Sequence, residues 1–151
     1  MTVLYLKYKK EKAIVNDSSV RTRIEQIYIT EVKTMLLLLY PRCTTCQKAK
    51  KWLDDNHVEY TERHIVEDNP TYEELREWYS QSGLPIKKFF NTSGLQYKAL
   101  GLKDRLPAMS VEEQLRLLST DGLLVKRPIV VTDDGKVLTG FREAEWESTL
   151  L

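Results

Sequence analysis

The sequence predicts an α/β domain with a four-stranded mixed sheet and an inserted helical subdomain. Three observations carry this prediction. Residues 36–40 form an unbroken apolar run, as expected of a central strand covered by helices on both faces. Amphipathic segments with helical spacing follow this run and are separated by strand-like segments. Near the C-terminus, an Asp134-Gly135 pair separates two apolar runs, which is a strong signal for an antiparallel hairpin.

The patterned part of the chain begins at Met35, and 151 residues are enough for one domain with a real core. Residues 1–34 carry seven Lys or Arg and four Asp or Glu, whereas residues 35–151 carry 16 and 18. The first segment also has few large apolar side chains. We therefore expect residues 1–34 to be a flexible N-terminal extension, with a docking arm as the alternative, and residues 35–151 to form the folded domain.

The first half of this domain is predicted as strand, helix, strand and helix. After the first strand, residues 44–56 place their apolar side chains on one helical face. Residues 58–65 form a weaker second strand. Thr71 and Glu74 then have the spacing of a capping box, which begins a helix that should end near Gly83.

The second half is predicted as a helical block followed by a hairpin and a closing helix. Residues 84–90 are predicted as a helix that Gly94 breaks. Ser110 and Glu113 form a second capping box, and the helix they begin should end at Asp121 and Gly122. The hairpin comes next, and residues 143–149 follow as a short helix.

This order, β-α-β, a helical block and then β-β-α, is that of a thioredoxin-like four-stranded mixed sheet with an inserted helical subdomain. Residues 70–120 are too many for a simple crossover. They must form the helical subdomain beside the sheet.

The two cysteines of the chain, Cys43 and Cys46, lie at the predicted start of the first helix. The unpaired N–H groups and the dipole of a helix N-terminus stabilise a thiolate, and Arg42 adds a neighbouring cation. We therefore predict Cys43 as the attacking thiol. Cys46, one turn along the helix, is placed to resolve a mixed disulfide. The alternative is that both cysteines are inert core residues.

A metal site is the other alternative for the cysteines. Cys43 and Cys46, with His57 and His64, have a spacing that superficially resembles a zinc finger. In a finger, however, the cysteines lie on a hairpin and both histidines lie on a helix. Here the cysteines begin a helix and His64 falls on a strand, so we expect no metal.

Arg127 and Pro128 immediately precede the third strand. A cis-proline at this point of a thioredoxin-like domain faces the cysteine turn, whereas a plain strand-entry proline is the alternative. Arg127 would then direct a fixed positive charge towards Cys43. Arg142, just after the last strand, is either a second such charge or a solvated surface residue.

Composition and charge restrict the function classes. The longest apolar run is far below the ~18–20 residues of a membrane span, and no apolar segment follows the basic stretch at residues 7–12 as in a signal peptide. Two cysteines so close together cannot staple a secreted domain. We expect a cytoplasmic protein with no membrane association. Residues 35–151 also lack the basic surplus that duplex nucleic-acid binding requires, so no direct nucleic-acid binding is expected.

Three segments together resemble the bacterial glutaredoxin-linked arsenate reductase family, which also contains the Spx-like regulators. The resemblance covers residues 35–151 and implies the thioredoxin-like fold. The segments are Pro41-Arg42-Cys43-Thr44-Thr45-Cys46-Gln47-Lys48-Ala49-Lys50-Lys51-Trp52-Leu53, Lys126-Arg127-Pro128-Ile129-Val130-Val131 and Val137-Leu138-Thr139-Gly140-Phe141.

For the reductases, the resemblance implies that Cys43 attacks the substrate and that three arginines hold an oxyanion. Arg127 and Arg142 match two of these arginines, but the third position falls near Asn91. Lys87 or Lys88 could substitute there, but only as point charges without the planar fork of a guanidinium. The reductases also usually have a single cysteine, whereas this chain adds Cys46. Both departures argue against arsenate as the substrate.

Two functions therefore follow from the sequence. The first is a thiol–disulfide oxidoreductase with no bound cofactor, for which glutathione, glutaredoxin or thioredoxin would supply electrons. Cys43, Cys46 and Arg127 would be catalytic, and Arg42, Pro128 and Arg142 would bind the substrate. The alternative is an Spx-like redox-sensing transcriptional regulator. In those regulators a disulfide acts as the switch, and the partner is the C-terminal domain of the RNA polymerase α-subunit.

Overall fold

A four-stranded sheet with the strand order β2-β1-β3-β4 organises the domain in a computed structural model that describes residues 35–151. The β1–β2 pair is parallel, and the β1–β3 and β3–β4 pairs are antiparallel. The sheet is therefore mixed, and the predicted fold class is confirmed. The prediction for residues 1–34 lies outside the described residues. The strands are β1 (Met35–Leu39), β2 (Tyr60–His64), β3 (Ile129–Val131) and β4 (Val137–Thr139).

Helices cover the sheet and fill the long segment between β2 and β3. Within the described region, none of them is long and apolar enough to cross a membrane. The α-helices are α1 (Thr44–Asp55), α2 (Tyr72–Ser82), α3 (Leu95–Ala99), α4 (Leu102–Arg105), α5 (Val111–Leu118) and α6 (Glu143–Leu150), and short 3-10 helices span Ile86–Phe89, Leu106–Ala108 and Gly122–Leu124.

Strand β1 is apolar on both faces because it lies between two hydrophobic cores. Successive side chains of a strand point to opposite faces. Leu37 and Leu39 accordingly enter one core and Leu38 the other, and all three are almost completely buried. The core of Leu37 is built with α1 and α6, and it contains Met35, Leu37, Leu39, Cys46, Ala49, Leu53, Val130, Leu138 and Trp146. The core of Leu38 is closed by the inserted helices, mainly through Leu75, Trp78, Phe89, Phe90, Leu102, Leu115 and Leu118.

Both predicted capping boxes are present. The Thr71 side chain accepts a hydrogen bond from the N–H of Glu74, whose carboxylate accepts from the N–H of Thr71. Ser110 and Glu113 make the same pair of bonds at the start of α5. Helix α2 ends as predicted at Gly83, whose φ of 62° is in the left-handed region.

The segment after α2 differs from its predicted structure. Only Ile86–Phe89 is helical, as a 3-10 turn, and Gly94 is the N-cap of α3 rather than a helix breaker. The cause is a backbone connection to the segment before β3. Phe90 forms an isolated antiparallel bridge with Val125 and adopts an extended conformation that a continuous helix could not supply.

Candidate active site

Cys43 and Cys46 lie at the junction of β1 and α1, as predicted. Cys43 is the N-cap of α1, with extended backbone angles. Its N–H donates to the carbonyl of Tyr40 at 2.9 Å, and its own carbonyl accepts from the N–H of Gln47 at 3.1 Å. Cys46 is one turn further and completely buried in the core beside Ala49. Both cysteines are free thiols, so the pair consists of a partly accessible sulfur above a buried one.

The two thiols have opposite pKa shifts. Partial burial acts to raise the pKa of Cys43, but hydrogen bonds from Cys46 and Arg127 and the positive charge of Arg127 outweigh it, so the pKa lies below the usual 9.0. Burial, together with the neighbouring Cys43, raises the pKa of Cys46 to about 12. Cys43 is therefore the thiol that ionises first, and Cys46 stays protonated and can donate its S–H to the Cys43 thiolate.

Arg127 is the cation that acts on this thiolate. Its Nε and Nη1 atoms are buried and have no hydrogen-bond partner within residues 35–151, while its Cζ lies 5.0 Å from the centroid of the Tyr40 ring. A buried donor without a partner is unfavourable, and buried polar groups are nearly always paired. Unpaired guanidinium N–H groups beside a reactive sulfur therefore mark a place where an anionic group can bind.

The Arg127–Pro128 peptide bond is cis, and hydrogen bonds connect it to the loop after β4. The carbonyl of Pro128 accepts from the N–H of Gly140 at 2.7 Å, and the carbonyl of Gly140 accepts from Nε1 of Trp146 at 3.1 Å. Gly140 has a φ of 76°, which favours glycine. Pro128 is thus buried, and its carbonyl is occupied by a hydrogen bond within the domain. Its neighbour Arg127, in contrast, lines the cavity beside Cys43.

A cavity of about 900 Å³ opens beside Cys43 and Arg127. Five cationic side chains line it, and no aspartate or glutamate does. The other lining residues come from the start of α1, the segment around α3 and the loop after β4. The cationic residues are Lys87, Lys88, Lys126, Arg127 and Arg142.

Of the two remaining arginines that were predicted to bind the substrate, one lines the cavity and the other does not. Arg142 lines the cavity, but its side chain is 65% exposed and its Nε donates to Glu145 at 2.9 Å. Arg42 is exposed and is absent from the cavity lining. The thiolate is therefore approached by Arg127 rather than by Arg42, although Arg42 is the sequence neighbour of Cys43.

Asn91 also lines the cavity, at the position that corresponds to the third oxyanion-binding arginine of the reductases. Its Nδ2 donates to the carbonyl of Leu123 at 3.3 Å, and its N–H donates to the carbonyl of Leu124 at 2.8 Å. The residue is only 8% exposed. Asn91 thus holds two loops together and supplies no positive charge.

The zinc-like spacing does not bring its four residues together as a set of ligands. The part of the chain that the structure describes contains no group of three or more His, Cys, Asp or Glu side chains arranged so that it could hold a metal ion. The Nδ1 atom of His64 accepts hydrogen bonds from the N–H groups of Val66 and Glu67, at 3.2 and 3.0 Å. His64 is therefore used in a turn.

Thr45, Lys126 and Phe141 also line the cavity, and they lie in the segments that carry the family resemblance, although none of them was predicted as a site residue. Each is adjacent to a predicted site residue or separated from one by a single residue, so adjacency was an available signal. Phe141 is held by an edge contact with Trp146, with ring centroids 4.8 Å apart. No sequence signal marked the lining residues at 92–95, because the fold brings that segment to the site.

Comparison with known proteins shows which family the domain resembles. A sequence model of the ArsC family matches residues 38–149. The Bacillus subtilis protein YusI is 54% identical over 108 residues, which cover 72% of this chain and 91% of YusI. The regulatory protein MgsR of Bacillus subtilis is 37% identical, over 70% of this chain and 82% of MgsR. The global transcriptional regulator Spx 1 of Bacillus cereus is 30% identical, over 70% of this chain and 78% of Spx 1.

Solved structures agree with the fold. An ArsC family related protein from Bacteroides fragilis is 61% identical, with a TM-score of 0.74 over 76% of this chain and 96% of that protein. A protein from Streptococcus mutans, described as a possible arsenate reductase, is 42% identical, with a TM-score of 0.70 over 76% of this chain and 98% of its own. The family resemblance and the thioredoxin-like fold are both confirmed.

Proposed function

The chain belongs to the ArsC family, and from this premise we propose that it is a thiol–disulfide oxidoreductase in which Cys43 attacks and Cys46 resolves. The observation that carries the proposal is that the pKa values of the two thiols are shifted in opposite directions. Cys43 has a lowered pKa beside Arg127, and Cys46 has a raised pKa directly beneath it. An accessible thiolate and a protected second thiol are what a two-step exchange needs.

In the first step, the Cys43 thiolate attacks one sulfur of a disulfide substrate. A Cys43–substrate S–S bond forms, the substrate S–S bond breaks, and the leaving thiolate takes up a proton. The partner-free N–H groups of Arg127 stabilise the negative charge that is spread over the three sulfurs in the transition state. Pro128 acts here only by fixing the backbone that carries Arg127.

In the second step, Cys46 loses its proton and attacks the sulfur of Cys43. The Cys43–Cys46 disulfide forms and the second substrate thiol leaves. Burial keeps Cys46 protonated at first, and the charge of the Cys43 thiolate adds to that effect. Once Cys43 is in a mixed disulfide its charge is gone, so Cys46 becomes more acidic at the moment when it must react. Glutathione, glutaredoxin or thioredoxin then reduces the pair.

Arsenate is a weaker candidate substrate. A three-arginine clamp would need a guanidinium at Asn91, whose Nδ2 instead donates to the carbonyl of Leu123. Arg142 is also paired with Glu145. Among the residues that the structure describes, only Arg127 has buried guanidinium N–H groups without a hydrogen-bond partner.

The assay that tests the enzyme proposal measures disulfide reduction and arsenate reduction by the purified protein, with the Cys43→Ser variant as control. We expect disulfide reduction that the variant loses completely, because serine cannot form a thiolate. A wild-type protein inactive on every disulfide would refute the proposal. Arsenate turnover matching that of disulfides would refute the argument from Asn91.

The second candidate function is a redox-sensing regulator bound to RNA polymerase. What favours it is the 37% and 30% identity to MgsR and Spx 1, whose names describe regulators. The same cysteines would then form a switch. The test is a pulldown with the C-terminal domain of the polymerase α-subunit, using reduced and oxidised protein. Binding that depends on redox state supports the regulator, and failure to bind in both states removes it.

A further inference from the structure

The cavity beside Cys43 is large for an inorganic oxyanion. Its volume of about 900 Å³ lies within the ~300–1,000 Å³ that is typical of sites enclosing a drug-sized ligand. A tetrahedral ion such as arsenate would occupy a small part of that space. The size therefore points to an organic substrate with several functional groups.

The charge of the cavity restricts what that substrate can be. Lys87, Lys88 and Lys126 line it together with Arg127 and Arg142, and no carboxylate lines it. Across residues 35–151, none of these three lysines takes part in an ion pair. A cleft lined by charges of one sign raises the local concentration of ligands of the opposite sign. The cavity is therefore suited to a ligand with more than one negative group.

The backbone fixes the lysines relative to the reactive thiol. The N–H of Lys126 donates to the carbonyl of Phe89 at 2.7 Å, which joins the 3-10 turn of Lys87 and Lys88 to the segment that leads into Arg127. The cations of two distant sequence segments are thus held side by side. Lysine, with its flexible stem, can reach carboxylates at different positions, whereas Arg127 remains beside the sulfur.

We propose that Lys87, Lys88 and Lys126 form a subsite for carboxylates, which makes the protein selective for disulfides of small acidic thiols. This inference rests on the proposed function, because Cys43 must attack the sulfur while the lysines bind the carboxylates. The overall exchange oxidises Cys43 and Cys46 to a disulfide and reduces the substrate disulfide to two thiols, with one proton taken up by each leaving thiolate.

The experiment compares an acidic and a neutral disulfide as oxidants of the reduced, full-length protein. Glutathione disulfide is the acidic probe and bis(2-hydroxyethyl) disulfide the neutral one, and the second-order rate of thiol loss is measured for each. The test variant is Lys87→Gln/Lys88→Gln, in which two exposed side chains lose their charge. The matched control is Lys98→Gln/Lys103→Gln, also exposed and in the same helical block but outside the cavity lining.

We expect the wild-type protein to react faster with the acidic disulfide, and the acidic-to-neutral rate ratio to fall about 3- to 20-fold in the test variant, as for the loss of two partly solvated ion pairs. The control should keep the wild-type ratio. Added salt should lower the wild-type ratio, because it screens the lysines.

An unchanged ratio in the test variant, or an equal fall in the control, would overturn the subsite while leaving the oxidoreductase proposal intact. A wild-type protein that reacts with neither disulfide would overturn the oxidoreductase proposal and the subsite with it. The two failures are therefore distinguishable.

Discussion

Tyr40 contacts both Arg127 and Cys43. The Arg127 guanidinium lies over the Tyr40 ring, with Cζ 5.0 Å from the centroid, and the Tyr40 carbonyl accepts the N–H of Cys43 at 2.9 Å. A cation over an aromatic face is attracted to it and held in place. Tyr40, the residue directly after β1, thus fixes the cation relative to the thiol, and Arg127 adds to the lowering of the Cys43 pKa that the hydrogen bonds from Cys46 produce.

Replacing Arg127 with glutamine should raise the pKa of the Cys43 thiol, because the positive charge of the guanidinium and its interaction with the thiolate are lost. We also expect disulfide reduction at neutral pH to slow by about 10- to 100-fold, as for the loss of a hydrogen bond to a charged group. The measurement is the rate of Cys43 alkylation by iodoacetamide as a function of pH. Arg142→Gln is the comparison, since Arg142 is exposed and paired with Glu145, and its pH profile should match the wild type. Equal profiles for all three proteins would contradict the role of Arg127.

The buried thiol of Cys46 should make stability depend on pH in the alkaline range. Folding raises its pKa from 9.0 to about 12, so its contribution to stability is complete below pH 9.0 and is lost as the pH rises from there towards 12. Urea unfolding of reduced protein at about pH 8 and pH 10 should therefore show wild type losing stability relative to Cys46→Ala. The cavity left by alanine lowers stability equally at both values. If the difference in the free energy of unfolding between wild type and Cys46→Ala is the same at both pH values, folding does not raise the pKa of Cys46.

Local signals in the sequence were enough to predict the sheet, both capping boxes and the cysteine turn. The helix predicted over residues 84–90 is shortened to a 3-10 turn at Ile86–Phe89, because Phe90 pairs with Val125, a contact between segments far apart in the chain. The same reason explains why the cationic cavity was only partly anticipated. Lys126 lies in the same motif as Arg127, but only the fold, through the hydrogen bond from the Lys126 N–H to the Phe89 carbonyl, places it in the same cavity as Lys87 and Lys88.

Gly122 should tolerate no side chain. A Cβ at this position would lie 1.8 Å from the backbone oxygen of Ile65, which cannot move without displacing the chain after β2. We expect Gly122→Ala to destabilise the protein by about 1–3 kcal/mol or more, as overpacking does. At Gly101 a Cβ would meet nothing within 4 Å, and only the φ of +59° opposes alanine, so Gly101→Ala should cost about 1–2 kcal/mol. Chemical denaturation gives both values, and a smaller loss at Gly122 than at Gly101 would be inconsistent with this packing.

Arg63 joins β2 to α2. Its guanidinium binds both carboxylate oxygens of Glu74, at 2.6 and 3.0 Å, and donates to the carbonyls of Asp68 and Asn69. Arg63→Met should therefore destabilise the protein by about 1–3 kcal/mol. Lys51→Met, which breaks an exposed pair with Asp55, should change stability by less than ~1 kcal/mol. Thermal unfolding of the two variants separates these cases, and equal shifts would mean that the Arg63 contacts contribute no more than a surface pair.

The Arg63 contacts should also be visible at acidic pH. Burial acts to raise the pKa of Glu74, but Arg63 and the N–H of Thr71 outweigh it, so the pKa lies below the usual 4.5. The stabilisation is present above pH 4.5 and is lost as the pH falls through the folded-state pKa. As the pH is lowered, the difference in the free energy of unfolding between the wild type and Glu74→Gln should therefore become smaller. A gap that stays constant would contradict the direction of this shift.

The most direct test of the central claim is the intact mass of Cys46→Ser after reaction with glutathione disulfide. If Cys43 attacks and Cys46 resolves, the variant keeps one glutathionyl group on Cys43, while the wild type treated in the same way ends as a Cys43–Cys46 disulfide without an adduct. An adduct on the wild type that persists, or a variant that takes up no glutathionyl group, would contradict the assigned roles.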